Sequence, residues 1–252
     1  PLSFYSGYVL EHRFGLSRLS VLRWVWRYAK GLFLATLLTI FLVAVLFWII
    51  RLSGPWWWGV GALAFFGVSV VLGQMAPVLI LPLFYRVERL DRPDLADRIQ
   101  RLAEGTGLTI EGVYRLDLST ETVKANAALA GLGRTRRVLL GDTLLVHFSP
   151  EEIETIFAHE LGHHVYRHIP KMLGIGLVSS AVGFWICDRI WTYWVTALQE
   201  SSDAGAFVYK TFPVWAVALL LFLLGVLGIL TEPLLHGLSR RHEREADRYA
   251  LE

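Results

Sequence analysis

Residues 159 to 163 read His159-Glu160-Leu161-Gly162-His163, an HExxH run. On a helix, positions four apart lie one turn above each other, so the two imidazoles can close on a single Zn²⁺. Glu160 lies about 100° further round the helix, beside the ion rather than on it. That is the placement of a general base for a zinc-bound water, the chemistry of hydrolysis. The neighbouring His164 and His168 are also four apart, but no glutamate follows the first of them. The helical wheel turns them away from His159, and both are expected on the helix surface.

The motif needs a helix, and its flanks supply the signals for one. Ser149 is a good N-cap, Pro150 suits the first helical position, and Glu152 completes a capping box three residues after the cap. Pro170 is expected to end the run, because proline cannot continue the backbone ladder.

A catalytic zinc needs a third protein ligand. The extended HExxHxxGxxH pattern is absent, since Tyr166 and Ile169 stand where its glycine and last histidine would be. The run Ser239-Arg240-Arg241-His242-Glu243-Arg244-Glu245-Ala246-Asp247-Arg248-Tyr249-Ala250 puts Glu243, Ala246, Asp247 and Ala250 on one helix face. A carboxylate flanked by small residues suits a helix packed closely on the HExxH helix. Glu243 is therefore the favoured third ligand, with His242 and Glu245 as rivals. Asp247, one turn on, is placed to accept a hydrogen bond from the far nitrogen of a ligand histidine.

Of 252 residues, 54% are hydrophobic and ten are tryptophan, a composition too apolar for an ordinary soluble domain. Gly31 to Ile50 is uncharged and long enough to span a bilayer. A second run goes from Trp56 to Tyr85, with Pro77 and Pro82 expected to kink or end it. Further apolar runs cover Met172 to Cys187 and Phe212 to Thr231, giving four expected spans. Of 24 Lys and Arg, three lie at 51 to 55 and 188 to 211, leaving 21 in residues 1 to 30, 86 to 171 and 232 to 252. The positive-inside rule then places those three segments, HExxH motif included, on the cytoplasmic side. Asp188 stands alone at the edge of a span, and the spans are otherwise clean. A net charge of +2 makes no case for nucleic acid, and the single Cys187 excludes an intrachain disulfide and a cysteine-based zinc site. There is no signal-peptide pattern. The sequence opens at Pro1 and stops in mid-helix pattern, so it is expected to be a fragment of a longer protein.

Residues 86 to 169 are arginine-rich and soluble in character. Asp94 is expected to cap an amphipathic helix carrying Leu95, Ile99 and Leu102 and ending near Gly105 and Gly107. A strand is expected over Ile110 to Leu116. Val123 to Leu129 and Arg137 to Leu140 flank Gly131-Leu132-Gly133-Arg134 as a hairpin. The fold class expected is mainly α, a multi-pass membrane protein with a zincin-like α+β catalytic region. Its parts are residues 1–85 with two membrane helices, 86–170 with the HExxH helix, 171–231 as a membrane hairpin, and 232–252 as the helix supplying the third ligand.

The pairing of His159-Glu160-Leu161-Gly162-His163 with Glu243, Ala246 and Asp247 downstream resembles the CAAX prenyl protease type 1 family of integral-membrane zinc metalloendopeptidases. The bacterial heat-shock protease HtpX is a more distant cousin. Other blocks agree: Phe4-Tyr5-Ser6-Gly7-Tyr8, Glu11-His12-Arg13-Phe14-Gly15-Leu16-Ser17, Pro82-Leu83-Phe84, Asn126-Ala127, and Asp142-Thr143-Leu144-Leu145. The resemblance implies one Zn²⁺ per chain on His159, His163 and Glu243, with Glu160 as base and Asp247 as orienting partner. It implies a substrate-binding edge strand at Asn126, Ala127 and Ala128. It also implies peptide or protein substrates of prenylated or membrane-inserted kind, in a bacterial inner membrane or the endoplasmic reticulum membrane. Further membrane helices before Pro1 and a segment after Glu252 are implied as well. The alternatives are an HtpX-like quality-control protease and a non-catalytic membrane scaffold with a structural zinc site.

Overall fold

The computed structural model describes residues 2–75, 80–131, 136–198 and 214–251. The chain is mainly helical and divides into two compact units, one of residues 1–32, 72–168 and 242–252, the other of 33–71 and 169–241.

After two short helical pieces, α1 (Leu2–Phe4) and α2 (Glu11–Arg13), the four apolar runs of the sequence fall on four helices: α3 (Val21–Ser53), α4 (Trp57–Met75), α8 (His168–Leu198) and α9 (Val214–Leu251). Among the described residues three helical stretches are long and apolar enough to cross a membrane, Val21–Met75, His168–Trp194 and Ala216–Leu251, the first holding both α3 and α4. Gly54, with φ +52°, begins the short 3₁₀ turn Gly54–Trp56 between them, a backbone conformation that glycine adopts without strain. The chain folds back there, since a Cβ on Gly61 would touch Leu46. Leu46, Ile50, Trp57, Ala62, Phe184, Cys187, Trp191, Ala216, Val217 and Leu220 form the core of this second unit. Its outer faces expose Phe33, Leu37, Phe41, Leu63, Val178 and Ile229, as a lipid-facing surface requires. Asp188, expected at the edge of a span, has partners in the structure. It is fully buried within α8, accepts a 2.6 Å hydrogen bond from Trp57 Nε1, and pairs with Arg189. Pro77 and the start of the fourth run at Phe212 lie outside the described residues.

The first unit carries a four-stranded sheet in the order β1-β2-β4-β3. The strands are β1 (Val87–Arg89), β2 (Gly112–Leu116), β3 (Ala127–Ala130) and β4 (Arg137–Gly141). β2 and β4 run parallel with Val113 opposite Val138, while β1 on β2 and β3 on β4 are antiparallel. The expected hairpin is thus present as β3 and β4, although its turn from Leu132 to Arg134 lies outside the described residues. β1, three residues long, is too short to show an alternating pattern in the sequence.

Helix α5 (Pro93–Gly105) starts two residues earlier than expected. Pro93 takes the first helical position, Arg92 is the N-cap, and Asp94 sits in the first turn, where its charge favours the helix dipole instead of capping. Its buried stripe is Leu95, Ile99 and Ala103, with Leu102 turned outward. That stripe meets Val113, Val138, Leu140 and Leu144 of the sheet and of α6 (Asp142–His147). The other half of the core is the row Ile153, Phe157 and Leu161 on α7 (Pro150–Val165). These residues are spaced four apart, so the face of α7 that carries them is committed to the core.

Where β4 meets α6, Asp142 accepts hydrogen bonds from the N–H groups of Leu118 (2.8 Å) and Ser119 (2.9 Å) and from Ser119 Oγ. Burial opposes its ionisation, but those bonds outweigh it and hold the carboxyl below its usual range. Thr143 Oγ1 donates to Lys124 O (2.7 Å), and Gly141 N–H donates to Asn126 O (2.8 Å). The chain leading into β3 is therefore fixed by the end of β4. Residues 16 to 18 brace the same segment from the other side, with Arg18 N–H donating to Glu121 O and Thr122 Oγ1 to Leu16 O.

Phe157 is fully buried at the centre of this core. Replacing it by alanine should cost about 3–5 kcal/mol of stability. Thermal unfolding of metal-free protein in detergent checks this, and an unchanged midpoint would contradict the packing described.

Candidate metal centre

The two histidines of the HExxH run lie off the face of α7 that Ile153, Phe157 and Leu161 commit to the core. The helix opens as the sequence predicts: Ser149 Oγ accepts from Glu152 N–H at 3.3 Å, and the Glu152 carboxylate accepts from Ser149 N–H at 2.8 Å. Gly162 is buried on α7, and a Cβ placed there would stand 3.0 Å from Ala246 Cα and 3.3 Å from Ala246 Cβ. Ala246 is itself fully buried. Two small residues thus let the backbone of α9 come directly against α7, one turn from Glu243 on one side and beside Asp247 on the other.

That approach brings three ligand atoms together. His159 Nε2 and His163 Nε2 are 3.3 Å apart, and Glu243 Oε2 is 3.3 Å from the first and 3.7 Å from the second. Among the described residues, His159, His163 and Glu243 form the one such group able to hold a metal ion. Tetrahedral Zn²⁺ with ligand bonds of about 2.0–2.1 Å would hold its donor atoms roughly 3.3 Å apart. The donor set fits by charge as well as by distance. His159 Nδ1 lies 2.9 Å from Asp247 Oδ1, where the ring donates its proton to the carboxylate. With that proton on Nδ1, the neutral ring presents a bare Nε2 lone pair to the other two donors. Three lone pairs converging on one point call for a cation between them.

Burial pushes His163 below its ordinary value, with Glu243 opposing, so the ring is held in the neutral form that ligates. Glu160 is pushed the other way. Burial raises its carboxyl above the usual range, His159 opposes this, and Glu243 adds to it. A glutamate tuned upward in this way exchanges protons more readily near neutrality.

Two expectations about the end of the helix are corrected. α7 stops at Val165, and Arg167 takes a left-handed backbone with φ +56° before α8 begins at His168. Pro170 therefore does not end the HExxH helix. It is the third residue of the next one, where its missing N–H costs nothing. Nor is His168 a surface residue. It is 3% exposed, because the break at Tyr166 and Arg167 swings it back toward His163 and off the wheel of α7. His164, also expected on the surface, is half-buried, its pKa lowered by burial and then by Arg136.

The two rivals for the third-ligand role face His168 instead. Glu245 Oε2 lies 3.0 Å from His168 Nε2, and the ring of His242 stacks on that of His168 at 4.2 Å and 14°. The sequence marked Glu245 only as a rival ligand and His168 as a surface residue, because the break after α7 hides the spacing that brings them together.

Ala127 and Ala128 lie on β3, and Asn126 immediately precedes it. β3 is the last strand of the sheet, paired with β4 on one side, and it packs beside α7. An apolar pocket of about 430 Å³ adjoins His159, lined by Thr155, Ile156, Asp247, Ala250 and Leu251.

Comparison with known proteins gives a consistent set of likenesses. Residues 89–252 match peptidase family M48, and residues 1–86 match the CAAX prenyl protease N-terminal family with five membrane helices. CAAX prenyl protease 1 of Saccharomyces cerevisiae is 30% identical, over 99% of this chain and 57% of its own length. The metalloprotease YhfN of Bacillus subtilis is 30% identical over 83% of this chain and 48% of its length. The crystal structure of S. mikatae Ste24p superposes with a TM-score of 0.80 at 26% identity, covering 99% of this chain and 60% of that one. The chain thus spans about half the length of the curated relatives it matches.

Gly162→Ala adds a methyl group against the backbone of α9. It should separate Glu243 from the histidines and weaken zinc binding, and Gly162→Val should do so more strongly. Zinc affinity measured by chelator competition checks this, and two variants with unchanged affinity would contradict the close packing.

Proposed function

The chain belongs to peptidase family M48, and on that basis we propose that it is a membrane-embedded, zinc-dependent endopeptidase acting on membrane-associated or prenylated, CAAX-type substrates. The observation that carries this reading is the convergence of His159 Nε2, His163 Nε2 and Glu243 Oε2 with Glu160 beside them. Those three residues hold the zinc, and Asp247 orients His159 through Nδ1. When bound, zinc supplies a Lewis acid that polarises a scissile carbonyl and makes water acidic enough to deprotonate near neutrality.

The remaining chemistry belongs to the chain. The edge strand β3, with Asn126, Ala127 and Ala128, receives the peptide as an added strand through backbone hydrogen bonds. Glu160 takes a proton from the attacking water and returns it to the leaving amine nitrogen. A purely structural zinc site is closed by four protein ligands and has no use for a buried carboxylate next to them. Three converging donors with Glu160 alongside favour catalysis over a scaffold. The CAAX-type substrate class rests on the names of the relatives, CAAX prenyl protease 1 among them.

The multi-pass membrane character is shared with the family that matches residues 1–86. With 21 of 24 Lys and Arg in the segments that carry the site, we place the site on the cytoplasmic side.

Glu160→Gln keeps the shape of the side chain and removes its proton chemistry. It should leave zinc binding intact and lower peptide cleavage by about 10²- to 10⁴-fold. Zinc content and cleavage of a fluorogenic CAAX-type peptide, measured on the same preparation, check both halves. Wild-type turnover by that variant would remove Glu160 from the role of base.

A further inference from the structure

The two histidines of the centre are held differently. His159 leans on Asp247, a carboxylate that is itself 64% exposed. Among the described residues no carboxylate is paired with His163 Nδ1. Its partner is His168, with the two Nδ1 atoms 2.9 Å apart. His168 in turn reaches Glu245 Oε2 through Nε2 at 3.0 Å. Its ring lies flat on His242 and is almost wholly buried. His168 comes from the start of α8, and His242 and Glu245 come from the end of α9.

The geometry points to a positioning relay, His163 to His168 to Glu245, that fixes the tautomer and aim of the metal-binding His163. This rests on the reading of His159, His163 and Glu243 as the zinc site. With neutral rings, one proton arrangement satisfies every atom. The Glu245 carboxylate can only accept, so His168 carries its proton on Nε2 and presents a bare Nδ1. That Nδ1 accepts from His163 Nδ1–H, which leaves His163 Nε2 as a lone pair aimed at Glu243 and His159. The opposite arrangement would face the carboxylate with a lone pair and put a proton on the ligand nitrogen. Glu245 thereby acts on the zinc ligand through an intervening imidazole, where Asp247 acts on His159 directly.

The bland alternative is that His168 is a buried aromatic that fills space against His242. The two readings differ in which substitution is better tolerated. His168→Phe keeps the ring and the stacking but removes both nitrogens. His168→Gln loses the ring but offers a carbonyl oxygen that can accept from His163 Nδ1–H.

The experiment measures zinc affinity by chelator competition on the purified chain in detergent, with the visible spectrum of the Co²⁺ form and thermal unfolding of the metal-free form alongside. The relay predicts a loss of about 10- to 100-fold in zinc affinity for His168→Phe, with an altered Co²⁺ spectrum. It predicts partial recovery in His168→Gln and a smaller loss in Glu245→Gln. Zinc affinity in His168→Phe equal to or above that of His168→Gln would overturn the relay in favour of packing. An unchanged affinity in Glu245→Gln would remove the carboxylate from it. His163→Ala separates the two levels of the account. If that control loses zinc while His168→Phe does not, the relay alone fails; if it keeps zinc at wild-type affinity, the metal-site reading fails and takes the relay with it.

Discussion

The contact on which the site depends is the approach of Gly162 on α7 to Ala246 on α9. A helix carrying ordinary side chains at both positions would stand 8–10 Å from its neighbour axis to axis, with the side chains filling the gap. Here a single missing Cβ lets the Ala246 backbone lie against the helix that carries both histidines. Every distance in the centre follows from this. Glu243 sits about one turn before Ala246 and reaches the Nε2 atoms of His159 and His163, and Asp247 sits one residue after it and reaches the far side of His159. The same helix end also carries Glu245, which faces the other histidine through His168. Residues of opposite roles are thus sorted by their angle around one short stretch of helix.

The rest of the first unit holds α7 still. Ile153, Phe157 and Leu161 commit one face to α5 and the sheet, which leaves the histidine face directed elsewhere. Arg98 of α5 bonds Glu151 and Glu154 near the start of α7, an exposed arrangement that adds little energy but agrees with the packing. Asp142, Thr143 and Gly141 fasten the segment before β3, and the edge strand and the candidate metal centre belong to the same compact unit. Backbone hydrogen bonds between residues 16 to 18 and 121 to 123, with the Lys124–Glu11 ion pair, tie the amino-terminal segment to it as well.

Much of this was legible from residues alone, for definite reasons. HExxH with its capping box announces a helix and a use for it, because Ser149, Pro150 and Glu152 are local signals that do not depend on distant contacts. Glu243 could be singled out because Ala246 and Ala250 share its face and small residues mark close helix packing. The hairpin and the apolar runs follow from patterning. What was hidden depends on tertiary geometry. The left-handed turn at Arg167, in a non-glycine residue, has no sequence signal, and it alone moves His168 from an expected surface to a buried position. Asp188 is buried by Trp57, more than a hundred residues away in sequence, which no local reading reaches. β1 is three residues long and exists because β2 offers it an edge.

The central claim is that α7 and α9 together make a three-ligand zinc site. The most direct test is zinc per chain, by elemental analysis of detergent-purified protein, for the wild type and Glu243→Ala. The account predicts close to one zinc in the wild type and loss of most of it in the variant, where two imidazoles remain without the carboxylate. A variant that retains its zinc would contradict the account, since the carboxylate that α9 brings to the histidines would then not be holding the metal.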